Sequence, residues 1–165
     1  MDFKATDEQD MIREMVRDFA ETVLAPTVEH RDKTQTPPSE EWQQFLELGL
    51  QGVTVPEKYG GMPVDDISES IIVEELARVD PSFSVMFCVH VGLCTKTIAL
   101  HGDDYQKETY LPRLAEGDVG AYSLSEAGAG TDAAAMSCKA KLSEDGTHYL
   151  LNGCLLYTSD AADDC

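Results

Sequence analysis

The hydrophobic period of the chain changes at Gly117, and no other feature constrains the fold as much. Before that point apolar residues recur every three or four positions, and after it they alternate. Ile12, Met15, Val16, Phe19, Ala20 and Val23 share one helical face, and Thr6 with Gln9 reads as a capping box at its start. Pro26 and the polar EHRDKTQTPP stretch predict that this helix ends or bends there. Ser39 predicts a short helix around Trp42, Phe45 and Leu46, and VPEKYGGM carries the proline and paired glycines of a turn. Asp66, with Glu69 after it, predicts a helix through Ile71, Ile72 and Leu76. Asp80-Pro81 pairs a cap with proline at the first helical position, opening a long apolar helix to about Leu100. Asp103 with Gln106 opens a last helix, which Pro112 is expected to interrupt.

Beyond Gly117, Val119 to Ser125, Met136 to Leu142 and His148 to Leu151 are short alternating runs that predict strands, with Glu144-Asp145-Gly146 as a hairpin turn. Helices first and strands afterwards predict an α+β chain. An N-terminal all-α helical domain, residues 1–117, is followed by the first strands of an incomplete antiparallel β domain, residues 118–153. These strands are too few to close a sheet or barrel.

The formal net charge of −19 over 165 residues repels phosphate backbones and argues against nucleic-acid binding. It leaves phosphate-bearing small ligands open, because backbone N–H groups hold phosphate without net positive charge. The opening MDFKATDEQDM lacks the apolar core of a signal peptide, and no run is expected to approach the roughly 20 apolar residues of a membrane span. The five cysteines form no C-x-x-C pair and the four histidines show no ligand spacing, so neither a structural zinc nor a disulfide framework is expected. A reducing cytoplasm is the expected compartment.

The chemistry concentrates between Ala121 and Met136. Gly128-Ala129-Gly130-Thr131-Asp132-Ala133 satisfies the letter of the dinucleotide fingerprint, yet the fingerprint needs its glycines to open a crossover helix. Ser137 to Leu142 alternates instead, and no such helix fits. A Walker A loop is excluded by the lack of Gly-Lys-Ser/Thr. Two readings remain: Gly128 and Gly130 supply positive φ for a wide turn, or Ser125, Thr131 and the loop amides form an anion-holding nest beyond a strand end. Elsewhere, Cys88, His90 and Cys94 lack a shared orienting group and read as buried structural residues. Glu74 and Glu75, adjacent on a helix, point about 100° apart and read as a solvated face or an interdomain salt bridge. Asp65, Asp66 and Glu69 read as capping and dipole compensation.

The run Tyr122-Ser123-Leu124-Ser125-Glu126-Ala127-Gly128-Ala129-Gly130-Thr131-Asp132 resembles the [LV]-[TS]-E-x-x-A-G-[ST]-D signature of flavin-dependent acyl-CoA dehydrogenases. The resemblance covers residues 1 to 153. It extends through Pro56-Glu57, Tyr59-Gly60-Gly61, Glu74 to Arg78, His101-Gly102, Gln106-Lys107, Tyr110-Leu111-Pro112 and Tyr149 to Gly153, and its wording is nearest the short/branched-chain members. Thr131 stands where the family usually has Ser, and Ser125 where it often has Thr; both retain the hydroxyl.

The resemblance implies an N-terminal helical domain, a middle β domain and a C-terminal four-helix bundle. FAD accepts hydride from the β-carbon of an acyl-CoA while a carboxylate removes the α-proton, and the product is a trans-2-enoyl-CoA of fatty-acid or branched-chain amino-acid catabolism. Tyr122, Leu124 and Ser125 are implied to lie along the flavin ring. Gly130 and Thr131 are implied to meet the pyrophosphate, Thr131 also touching the CoA arm, and Val85 and Val89 to line the acyl pocket, with ordinary core packing as the equal alternative for these two valines. Electron-transfer flavoprotein is the implied electron acceptor, and a homo-oligomer the implied full-length state. The family's catalytic carboxylate comes from the C-terminal bundle, so no catalytic residue is expected among these residues, and the 165-residue chain is expected to be inactive and to hold FAD weakly at best. The alternatives are an acyl-CoA oxidase or flavin monooxygenase of the same fold, or a non-catalytic helical binding module. Finally, the string from Cys154 onward, CLLYTSDAADD, departs from the family and is similar to the translation of a transposon-end sequencing adapter. Residues 154–165 are therefore expected to be a non-native tail, with Leu155, Leu156 and Tyr157 compatible with extending the last strand and Ser159 onward exposed and unpaired.

Overall fold

Thr6 starts the helical unit. Its hydroxyl accepts the Gln9 N–H at 3.2 Å and the Gln9 side chain returns to the Thr6 N–H at 3.0 Å, closing the first turn of α1 (Asp7–Phe19). The structure, a computed structural model, describes residues 4–156. The chain divides into two units between Ala121 and Tyr122.

The first helix does not end at Pro26. A π-helical segment, Ala20–Leu24, carries it into α2 (Ala25–Thr34), with Pro26 in that helix's first turn. The extra residue per turn starts a fresh hydrogen-bond register, and proline's missing N–H is tolerated at a helix start. Gln35 ends α2 in the left-handed region at φ 52°. α3 (Ser39–Leu46) follows. α4 (Asp66–Val79) is capped by Asp65 rather than Asp66, its carboxylate accepting the N–H groups of Ile67 and Ser68.

Asp80 caps α5 (Pro81–Cys88) by accepting the Phe83 N–H at 3.0 Å. A second π-helical segment, Val89–Thr95, joins α5 to α6 (Lys96–His101). The resulting helix, Pro81–His101, has 21 residues and is long and apolar enough by length and composition to cross a membrane. This corrects the expectation that no run comes near that length. The count of consecutive apolar residues missed it because His90, Gly92, Thr95 and Lys96 punctuate the run. Within the helical unit its Phe83, Phe87 and Val91 are fully buried. In α7 (Asp104–Glu116) the Asp103–Gln106 capping box forms, but Pro112 sits inside the helix without interrupting it. Proline removes one backbone bond there, and the buried Leu111, Leu114 and Ala115 hold the turn in place.

Phe45 organises the core, meeting Phe19, Phe83 and Phe87 edge-on at centroid distances of 5.3, 5.4 and 5.5 Å, a favoured aromatic geometry. A smaller cluster gathers Val55, Tyr59, Leu111, Leu114 and Ala115. Gly61 seals the loop beside it: a Cβ there would lie 2.0 Å from the Val55 carbonyl oxygen. Gly61→Ala is expected to destabilise the unit by about 2–3 kcal/mol through overpacking against backbone, read as a lower urea midpoint. Gly61→Ala unfolding at the midpoint of the unsubstituted chain would contradict this packing.

Glu75 is buried and forms a bidentate pair with Arg17 at 2.6 and 3.0 Å, with Arg78 adding a bond at 3.3 Å, so it ties α1 to α4 inside one unit. This corrects both the solvated and the interdomain reading, while Glu74 remains exposed.

The alternating run Val119 to Ser125 forms no strand. Alternation yields a strand only where a neighbour completes the ladder; here the Gly120 N–H goes to His90, and the Ser125 carbonyl accepts from the Leu156 N–H at 2.8 Å. In the second unit β1 (Lys139–Leu142) and β2 (Tyr149–Asn152) pair antiparallel, with Lys139 opposite Asn152 and Leu142 opposite Tyr149. The predicted turn forms, with Gly146 at φ 69° and Asp145 accepting from Ser143 and Thr147. β2 stops at Asn152, so Leu155 and Leu156 do not extend it. The expectations for Tyr157 and for Ser159 onward lie outside the described residues.

Candidate functional site

The loop from Tyr122 to Thr131 is built around Glu126. The Glu126 N–H donates to Ala129 O at 3.0 Å and the Ala129 N–H returns to Glu126 O at 3.1 Å, closing a turn with Ala127-Gly128 at its tip. The Glu126 side chain folds under this turn. One oxygen accepts the Ser137 N–H (2.8 Å) and hydroxyl (2.6 Å), and the other accepts the Cys138 N–H (2.7 Å). The Ser137 hydroxyl, then the two backbone N–H groups, hold this carboxyl below its ordinary range, so it is ionised at neutral pH. With its lone pairs committed to the entry of β1, Glu126 acts as the fastener of the loop. Its place in the motif is visible in the sequence; its role is not, because the donors lie eleven and twelve residues on.

Gly128 and Gly130 do not have φ in the left-handed region, which overturns the positive-φ turn as their reason. Nothing within 4 Å would meet a Cβ at either, so crowding inside the chain does not demand glycine. What glycine provides at both is open backbone for close approach from outside. Ser125, Gly130 and Thr131 are exposed, Leu124 is half-buried, and Tyr122 is 43% exposed. All five therefore lie on one fastened loop that presents two hydroxyls, an apolar side chain and an aromatic ring.

Val85 and Val89 lie on the helical unit, in α5 and the π-helical segment after it. Val85 is 61% exposed, so it does not belong to the core, and Val89 is half-buried. With Leu93 they follow at four-residue spacing. His90, between them, is fully buried. Its Nδ1 accepts the Gly120 N–H at 2.9 Å and its Nε2 lies 3.0 Å from Gln51 O. A carbonyl only accepts, so the proton sits on Nε2. Burial pushes the His90 pKa down and the thiol pKa values of Cys88 and Cys94 up. Both ring nitrogens are committed, which leaves His90 no capacity to activate either thiol.

Helical caps feed an edge-on aromatic core in the first unit, and in the second a glycine and hydroxyl loop leads into a β hairpin with no crossover helix after it among the described residues. Residues 6–118 match the family model described as "Acyl-CoA dehydrogenase, N-terminal domain", and the chain belongs to the acyl-CoA dehydrogenase family. It is 38% identical over 97% of its length to a relative named "Acyl-CoA dehydrogenase, short-chain specific" from Clostridium acetobutylicum, of which it covers 42%. Among solved structures it superposes with a TM-score of 0.84 and 37% identity on an acyl-CoA dehydrogenase of Bacillus anthracis complexed with FAD, matching 91% of this chain and 26% of that one. It also superposes, with a TM-score of 0.86 and 44% identity, on a chain in a structure described as an electron transferring flavoprotein of Acidaminococcus fermentans, matching 93% of this chain and 40% of that one. The chain thus spans about two fifths of the length of the first curated relatives it matches.

Proposed function

We propose that this chain supplies the flavin loop and one wall of the acyl site in an enzyme that oxidises acyl-CoA thioesters to trans-2-enoyl-CoA thioesters. The observation that carries the reading is the Tyr122–Thr131 loop: fastened by Glu126, with exposed hydroxyls at Ser125 and Thr131 and open backbone at Gly128 and Gly130. These residues fit FAD, whose ring accepts the hydride when bound. Tyr122 and Leu124 offer the ring an apolar surface, Ser125 and neighbouring amides offer donors at its polar edge, and Gly130 with Thr131 receives the pyrophosphate, Thr131 reaching also to the CoA arm. Val85 and Val89 keep water from the acyl chain. The α-proton of a thioester is weakly acidic, so the complete site must donate hydrogen bonds to the thioester oxygen. The acyl group is of the short or branched class, electrons leave to an electron-transfer flavoprotein, and the full enzyme works as a cytoplasmic homo-oligomer without a nucleic-acid partner.

The test is Ser125→Ala with Thr131→Ala, read by titrating FAD into the chain and following flavin fluorescence. A hydrogen bond to a charged group is worth about 1.5–3 kcal/mol, so FAD affinity is expected to fall about tenfold or more. Both side chains are exposed, so the melting temperature is expected to hold. Equal binding by the two proteins, or none by the unsubstituted chain, overturns the assignment.

A further inference from the structure

The last two residues of the helical unit are held by side chains from a single π-helical segment. The Gly120 N–H donates to His90 Nδ1 at 2.9 Å, and Cys94, four residues further along the same segment, lies beside Gly120 and Ala121. There is no slack in the contact. A Cβ on Gly120 would lie 2.8 Å from both Cys94 Cβ and Sγ and 3.2 Å from His90 Nδ1, so the chain lies directly on the helix. The segment itself is anchored twice to the Gln51–Thr54 stretch: His90 Nε2–H donates to Gln51 O, and the Thr54 hydroxyl donates to Val91 O at 2.9 Å. A π-helical insertion rotates the side chains that follow it relative to a plain helix, and such insertions recur where side chains are aimed.

We infer that His90, seconded by Cys94, is a positioning residue that fixes Gly120 and Ala121 and so sets where the chain departs for Tyr122, Leu124 and Ser125. The same helix carries Val85 and Val89. The clamp therefore acts within the helical unit, on the two residues from which the loop departs, and this role rests on the flavin reading proposed above. His90 is fully buried and both its ring nitrogens are committed, so its effect is transmitted through the Gly120 N–H.

Two substitutions divide the ring's functions. In His90→Asn the side-chain oxygen replaces Nδ1 as acceptor for Gly120 while the donor to Gln51 is lost. In His90→Gln the longer amide reaches Gln51 but leaves Gly120 without its acceptor. Hydrogen exchange at Gly120 and Ala121 is measured on the 165-residue chain with its melting temperature and its FAD affinity. The expected result is that His90→Gln exchanges Gly120 about tenfold faster or more, and binds FAD correspondingly more weakly. His90→Asn retains both at a similar melting temperature. Gly120 exchanging at the same rate in both variants overturns the clamp. Exchange that separates them while FAD binds all three proteins equally overturns the positioning role. If FAD binds none of them, the unsubstituted chain included, the flavin reading fails and the positioning role falls with it, whereas the exchange pattern still decides the clamp.

Discussion

Arg31→Met is expected to cost about 3–5 kcal/mol of unfolding free energy. Arg31 is the single cation in a buried triad, donating to Glu41 at 3.1 Å and to Asp80 at 2.6 Å. All three side chains are buried, and they join α2, α3 and the start of α5. Burial pushes the Glu41 carboxyl up. The Thr27 hydroxyl, the backbone N–H of Glu41 and the Arg31 guanidinium outweigh that and leave it below its ordinary range, so it is charged at neutral pH. Removing Arg31 leaves two acidic groups in the interior with no counter-charge, and one of them caps α5. Against a total stability of roughly 5–15 kcal/mol, the loss would lower the urea midpoint steeply with little change in slope. Adding Glu41→Gln and Asp80→Asn should restore most of it, because no buried charge remains and asparagine still caps. A loss below about 1 kcal/mol from Arg31→Met alone would mean that the triad contributes little.

Features legible in the sequence were those whose partners lie within a turn. The Thr6–Gln9 and Asp103–Gln106 boxes and the Asp80-Pro81 start all formed, because a cap is completed by the next three residues. Arg17 and Glu75 stand 58 positions apart, and Arg31 and Asp80 49, so neither pair leaves a local trace. Pro26 and Pro112 misled for a related reason. The first is absorbed by a π-helical insertion and the second by buried neighbours, and both depend on packing. The candidate loop divides in the same way. Its motif is contiguous and visible, whereas Glu126 as fastener depends on where Ser137 and Cys138 return. The alternation from Val119 to Ser125 met the pattern of a strand but lacks a paired neighbour among the described residues.

Acid should weaken the helical unit in two separate pH windows. His90 has a folded-state pKa depressed below 6.5 by burial. As pH falls below about 6.5 the unfolded chain binds a proton that the folded chain refuses. Stability then drops with a slope of about 1.4 kcal/mol per pH unit until the folded-state pKa is reached. Among the described residues, the Trp42 ring meets it edge-on at 5.3 Å and the Cys94 thiol, pushed up by burial, stays neutral, so neither offsets an imidazolium. The second window belongs to Glu75 and Glu41. The Arg17 hydrogen bonds lead in holding Glu75 down, burial opposes them and Arg78 assists, while Glu41 is lowered as described. For depressed carboxylates the stabilisation is complete above the unfolded value near 4.5 and is lost as pH falls through the folded-state values. The net charge of −19 acts in the opposite direction, since protonation relieves self-repulsion. The reading is therefore the difference between the native chain and His90→Asn, from urea unfolding at pH values from about 8 down to about 3. That difference should open below about pH 6.5 and stop widening once His90 is protonated in both states. Glu75→Gln should shrink the lower window to the share carried by Glu41 and leave the upper one intact. If the native chain and His90→Asn lose stability in parallel across the upper window, His90 is not the group that titrates there.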